Sequence, residues 1–207
     1  GRGITSGELV GANFLTLTGK AYFDLALNAQ ARLWYQVAVP WLVDARTGIS
    51  VNGNTLVLGR DFDIIYYDGE ERATNHVSKA WSYVEDGDKM MYPGQLYMIT
   101  LMADASVVRF EKADDVSSIL TTHTQVYKYD SDVNGDRGWN GVSNPALYHA
   151  YVDAGVPIGQ VYVPAEDNYT TITLNDHKLV VGQGVYVQVD ANKDITVTYG
   201  GSFGAYD

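Results

Sequence analysis

Residues 130–141 read DSDVNGDRGWNG, and Asp130, Asp132, Asn134 and Gly135 stand at the D-x-D-x-N-G spacing of a calcium loop. Calcium takes roughly six to eight oxygen ligands. The side chains of Asp130, Asp132, Asn134 and Asp136, with one loop carbonyl, would supply about five or six of them. The bidentate glutamate expected at the twelfth position is replaced by Gly141, so such a site would bind calcium only weakly, as extracellular modules do. The competing reading is a turn, because Asn134-Gly135 alone can reverse a chain and leave the aspartates in solvent. The turn is preferred, since it requires no missing ligand.

A second chemistry is sugar recognition, in which aromatic faces stack on pyranose rings while carboxylates and amides bond the hydroxyls. Trp41 and Trp81 are the candidates for stacking, because neither has a partner in the internal repeat described below, and Tyr66, Tyr67 and Asp68 lie together beside a turn. Convergent catalytic groups are few. His76, His123, His149 and His177 stand far apart, without the HxH or HExxH spacing of a zinc site. The acidic pairs Asp61/Asp63, Glu70/Glu71 and Asp114/Asp115 read as solvated turn charges rather than a glycosidase dyad, whose carboxylates come from separate strands. The expectation is a protein that is not an enzyme.

The elements that would position these residues are strands. Sixteen Tyr and 21 Gly accompany short alternating apolar runs broken by Gly, Asn and Asp. Strands are expected at 14–17, 21–27, 33–39, 55–58, 61–67, 81–84, 96–102 and 107–110, then at 125–129, 159–164, 170–174, 185–189 and 194–199. Helical turns are expected only within 112–120 and 145–155. Trp34-Tyr-Gln-Val37-Ala-Val-Pro40 and Trp139-Asn-Gly-Val142-Ser-Asn-Pro145 share the spacing W-x-x-V-x-x-P. Pro93-Gly-Gln-Leu-Tyr-Met-Ile99 is echoed by Gly182-Gln-Gly-Val-Tyr-Val-Gln188 with one residue of slippage, and IIYY (64–67) by QVYV (160–163). The fold class is therefore all-β: two related β-sandwich-like units packed in tandem, residues 1–118 and the shorter 119–207, or alternatively one sandwich shared by both halves. Trp34 and Trp139 are expected at equivalent buried positions.

Composition narrows the partners. With 25 acidic against 14 basic residues and a net charge of −11, the chain lacks the clustered cations that nucleic acid requires. The absence of cysteine removes disulfide and thiol chemistry. No apolar run approaches the roughly 20 residues of a membrane-crossing helix, so no membrane insertion is expected in this segment, and the opening GRGITSGELVG reads as an excised piece. The only cofactor to consider is the weak calcium site.

The landmarks together resemble modules of Bacteroidetes surface and secreted proteins. The residues that carry the likeness are the W-x-x-V-x-x-P strand, D-F-D-I-I-Y-Y-D-G-E-E-R-A (61–73), W-S-Y-V and P-G-Q-L-Y-M-I in the first half. In the second they are G-W-N-G-V-S-N-P (138–145) and V-G-Q-G-V-Y-V-Q (181–188). Trp41 after Pro40, where that family has Phe, and Leu96, where it often has Gly, are departures. The resemblance implies a non-catalytic module of an exported, adhesin-like bacterial envelope protein whose partner is a host or envelope protein or a glycan; a carbohydrate-binding module is the alternative and a glycoside hydrolase the remote one.

Overall fold

The computed structural model of the chain describes residues 4–5, 16–75, 80–113, 116–118, 122–127, 138–145, 147, 150–151, 158–174, 178–191 and 193–198. The fold is all-β, with one short α-helix among the described residues. The first half contributes β1 (Ile4–Thr5), β2 (Thr16–Thr18), β3 (Tyr22–Ala29), β4 (Trp34–Val37), β5 (Val43–Asp44), β6 (Ile49–Val51), β7 (Asn54–Thr55) and β8 (Phe62–Tyr67). Helix α1 (Gly69–Asn75) follows, then β9 (Trp81–Tyr83), β10 (Met90–Met91), β11 (Tyr97–Leu101) and β12 (Ala105–Glu111). These strands form a five-stranded sheet of order β1-β3-β12-β6-β7, a four-stranded sheet β4-β11-β8-β9 and the pair β5-β10.

The first half ends with β13 (Val116–Ser118), and the second carries β14 (Thr122–Tyr127), β15 (Trp139–Ser143), β16 (Ala150–Tyr151), β17 (Ile158–Val163), β18 (Asn168–Thr173), β19 (Lys178–Leu179), β20 (Gly184–Gln188) and β21 (Lys193–Thr198). Here the four-stranded sheet is β15-β20-β17-β18, flanked by the pairs β14-β21 and β16-β19, while β13 pairs back to β2. Apart from β6 and β7, each pairing among β3–β12 recurs among β14–β21 in the same chain order. Residues 119–121, which follow the expected boundary, lie outside the described residues.

Register fixes which residues correspond. Trp34 pairs with Thr100 and Val37 with Tyr97, while Trp139 pairs with Gln188 and Val142 with Val185. Tyr97 therefore corresponds to Val185, and Gly94-Gln95-Leu96 to Gly182-Gln183-Gly184. The expected one-residue slippage is absent. Gly94 and Gly182 both take positive φ, +91° and +84°, which a side chain would strain, so glycine recurs where the chain turns into the central strand of each sheet. Through β11 and β20 the match extends to the next strand: Met98 faces Ile65 and Tyr186 faces Gln160. Tyr67 thus corresponds to Tyr162, and their partners on the next strand, Trp81 and Tyr169, correspond to each other.

Both faces of β11 are buried along its whole length, which explains its near-continuous apolar run, YMITL. Tyr97, Ile99 and Leu101 join the main core with Phe23, Val108 and Phe110 of the five-stranded sheet, whereas Leu96 and Met98 join a second cluster with Tyr67 and Tyr186. That second cluster unites the four-stranded sheets of the two halves. Leu96 enters a notch of the second half, since a Cβ on Gly184 would lie 2.5 Å from Leu96 Cδ1 and one on Gly141 would lie 3.0 Å from Leu96 Cβ. Hydrogen bonds also cross, from Ala38 N to Gly182 O at 2.9 Å and from Tyr162 N to Gln36 Oε1 at 3.0 Å.

Several expectations change. Trp34 and Trp139 hold equivalent positions but are half-buried against the shared cluster rather than enclosed. Val116–Ser118 and Ala150–Tyr151 are strands where helical turns were expected. Glu70 and Glu71, expected as turn charges, lie in helix α1, and Asp68 before it with Glu70 and Glu71 in its first turn is a helix-start signature.

Candidate functional site

A cleft of about 720 Å³ opens where β8 ends. One wall is Tyr66, Tyr67, Asp68 and the start of α1. The other is the segment from Val84 through Asp88 to Gln95 and Tyr97, and Asn140 and Gly141 of the second half complete the lining. Three of the five residues singled out for sugar recognition, Tyr66, Tyr67 and Asp68, therefore meet in one cavity.

Local chemistry shapes each wall. Asp68 caps α1, its Oδ1 accepting from Glu70 N at 3.0 Å and Glu71 N at 2.8 Å. Pro93-Gly94 forms the centre of a tight turn, with proline preset for the first central position and Gly94 supplying the positive φ of the second. The turn is locked by Tyr92 N donating to Tyr97 Oη at 2.7 Å. Asp88 Oδ1 accepts from Met90 N at 3.0 Å and its Oδ2 from the Tyr92 hydroxyl. The Tyr92 hydrogen bond holds the Asp88 carboxyl below its usual range and raises the Tyr92 hydroxyl in turn. Burial, followed by the charge of Asp68, raises Tyr66, and burial raises Tyr97. Tyr66 and Tyr97 meet edge to face at 6.1 Å, and Tyr92, its hydroxyl tied to Asp88, is 47% exposed.

The two tryptophans go elsewhere. Trp41 is 1% exposed and belongs to the main core, so it offers no face to a sugar. The continuous apolar run of residues 37–43, VAVPWLV, buried at every position but Leu42, is the sequence signal that places it inside. Trp81 is half-buried and lies outside the cleft lining; its ring meets Tyr67 at 5.3 Å and Tyr186 at 5.9 Å, edge to face. Its counterpart in the repeat is Tyr169, which meets Tyr162 at 5.2 Å and Tyr186 at 5.7 Å. Trp81 thus has the partner that the sequence did not reveal, and its ring bonds the sheets together.

Glu70, Asp88, Tyr92, Gln95, Tyr97 and Asn140 were not singled out for ligand recognition by sequence. The available signal was the Y-P-G-Q turn beside E-D-G-D, two turn motifs whose residues converge only after folding. Asp130, Asp132, Asn134 and Asp136 lie outside the described residues. Among the described residues no group of three or more His, Asp or Glu is arranged to hold a metal ion.

Comparison of the chain with protein-family models, with curated proteins and with solved structures finds no match.

Proposed function

We propose that this chain is a non-catalytic binding module of an exported bacterial envelope protein, and that its ligand is a glycan held in the cleft at the end of β8. The observation that carries the reading is the exposed Tyr92 ring at the mouth of a cavity that also holds Tyr66, Asp68 and Asp88. An aromatic platform beside carboxylates that accept hydroxyl hydrogens is the chemistry of sugar recognition. Export and adhesion rest on the resemblance to Bacteroidetes surface modules.

Binding without hydrolysis rests on the sequence, whose histidines lack zinc spacing and whose acidic pairs read as turn charges. The test is a glycan array probed with the full chain and with Tyr92→Ala, followed by a reducing-sugar assay on each hit. Hits that disappear in Tyr92→Ala and release no product are expected. An array without hits removes the glycan reading, and released product removes the non-catalytic one.

A further inference from the structure

We infer that β18 is a self-association edge: two copies of the chain pair their β18 strands antiparallel across a two-fold axis at Thr171, joining their four-stranded sheets into one. The inference is independent of the cleft and of its ligand.

The first support is the state of the edge. β18 ends the sheet β15-β20-β17-β18, and Asn168, Tyr169, Thr170, Thr171 and Thr173 are exposed. Edge strands are ordinarily blunted by short length, by lysine or proline, or by a bulge. β18, NYTTIT, has six residues, no charge and no proline. It pairs with β17 in one unbroken register, from Asn168 opposite Val163 to Thr173 opposite Ile158. The other ends of the two four-stranded sheets differ. β9, its counterpart in the first half, has three residues, β15 is packed against by α1 and β8, and β4 by β17.

The second support is which backbone groups face outward. Tyr162 N donates to Gln36 Oε1, away from β18, so Tyr162 and Tyr169 form a pair without ladder hydrogen bonds. Alternation then turns the N–H and C=O of Tyr169, Thr171 and Thr173 to the open side. Tyr169 N is met there by the side chain of its neighbour, Asn168 Oδ1, at 2.8 Å, and no described strand lies on that side.

The third support selects a second copy as the occupant. Outward-facing residues must meet outward-facing residues, and an axis at Thr171 satisfies this, setting Thr171 opposite Thr171, Tyr169 opposite Thr173 and Thr170 opposite Ile172. These are the β-branched and aromatic pairs that stabilise antiparallel neighbours, and the exchange is reciprocal, as a two-fold interface requires. Tyr169 N would pass from Asn168 to the Thr173 carbonyl of the other copy. Charge agrees. At −11 per chain two copies repel, but β18 is neutral, so they meet where no like charges face each other. One strand pair buries less than the roughly 1,600 Å² of a standard interface. The association is therefore weak, and salt strengthens it by screening the repulsion.

The test is sedimentation equilibrium of the full chain up to about 1 mM, at low and high salt, for the wild type, Thr171→Pro and Thr171→Lys. A wild-type dimer that strengthens with salt is expected. Thr171→Pro removes only an outward N–H, and Thr171→Lys sets like charges face to face on the axis. Each should weaken the dimer by at least about tenfold, with urea melts confirming that the variant is folded. Because the chain has no cysteine, a single introduced thiol reports the register. Facing Cα atoms roughly 5.5 Å apart lie within disulfide reach, so Thr171→Cys should cross-link on oxidation, and Thr173→Cys, which faces Tyr169, should not. A chain that stays monomeric throughout overturns the inference, even if β18 then captures an extended strand of another protein. So does a dimer indifferent to both Thr171 variants, and cross-linking at Thr173 rather than Thr171 overturns the two-fold register.

Discussion

The two halves of the molecule share a pattern of strand pairing and differ where the cleft lies. Tyr66, Asp68 and Tyr92 of the first half correspond by register to Val161, Val163 and Val180 of the second. The connection after β8 runs through α1 and residues 68–80, whereas that after β17 is the single 3-10 turn Pro164–Glu166 followed by Asp167. Tyr162, the counterpart of Tyr67, gives its hydroxyl to Asp167 at 2.5 Å and its backbone N–H to Gln36. At the position of Gln36 the second half has Gly141, which admits Leu96 and lines the cleft. Equivalent strands thus serve as cleft wall in one half and as packing surface in the other. The difference is made by connections and by residues facing outward from the sheet, while the inward alternation is shared.

The largest test of this comparison is the lock between the halves. Leu96 is fully buried, and Leu96→Ala is expected to cost roughly 3 to 4 kcal/mol in urea unfolding, the usual range for an enclosed leucine. Gly184→Ala, which would press a methyl against Leu96 and Val142 O, should cost about 1 to 3 kcal/mol by overpacking. A Leu96→Ala loss under about 1 kcal/mol would mean that the notch does not hold the halves together.

Next comes the equivalence of the landmark tryptophans. Because Trp34 and Trp139 are half-buried, each Trp→Ala change should cost about 2 kcal/mol, below the roughly 3 to 5 of an enclosed ring. Costs that differ by more than about 1 kcal/mol would show that the repeat in register is not a repeat in energetics.

The ligand sharpens the contrast directly. Tyr92→Ala should reduce glycan affinity by about tenfold, near 1.4 kcal/mol, whereas Val180→Ala at the corresponding place should leave it unchanged. Calorimetry should return one site per chain; a stoichiometry of two would place a second site in the other half and end the contrast.

The smallest expected effect is alkaline. Burial, assisted by Asp167, pushes the Tyr162 hydroxyl up to about 12 from its ordinary 10. A raised folded-state value means that the unfolded chain gives up this proton first. The associated stability is present below about pH 10 and is lost as pH rises toward about 12. Urea melts from about pH 9 to about pH 11.5 should therefore show a smaller loss in Tyr162→Phe than in the wild type. Equal losses would mean that this hydroxyl does not carry the effect.

By itself the sequence determined what depends on neighbouring residues: strand-forming alternation, turn glycines, the absence of cysteine, the acidic balance and the recurring W-x-x-V-x-x-P landmark. It also grouped Tyr66, Tyr67 and Asp68, because they are consecutive. Only the tertiary structure decided which faces of those strands meet. Alternation gives a strand two faces but does not say what covers them, so the pairing of Trp81 with Tyr67 and the true register of the repeat followed from strand order. The cleft is the strongest case. Asp88 and Tyr92 reach Tyr66 because β11 pairs with β8, and Asn140 arrives only when the second half packs against the first. Contacts between residues this far apart in the chain are selected by which apolar faces can be buried together, and that choice belongs to the whole fold.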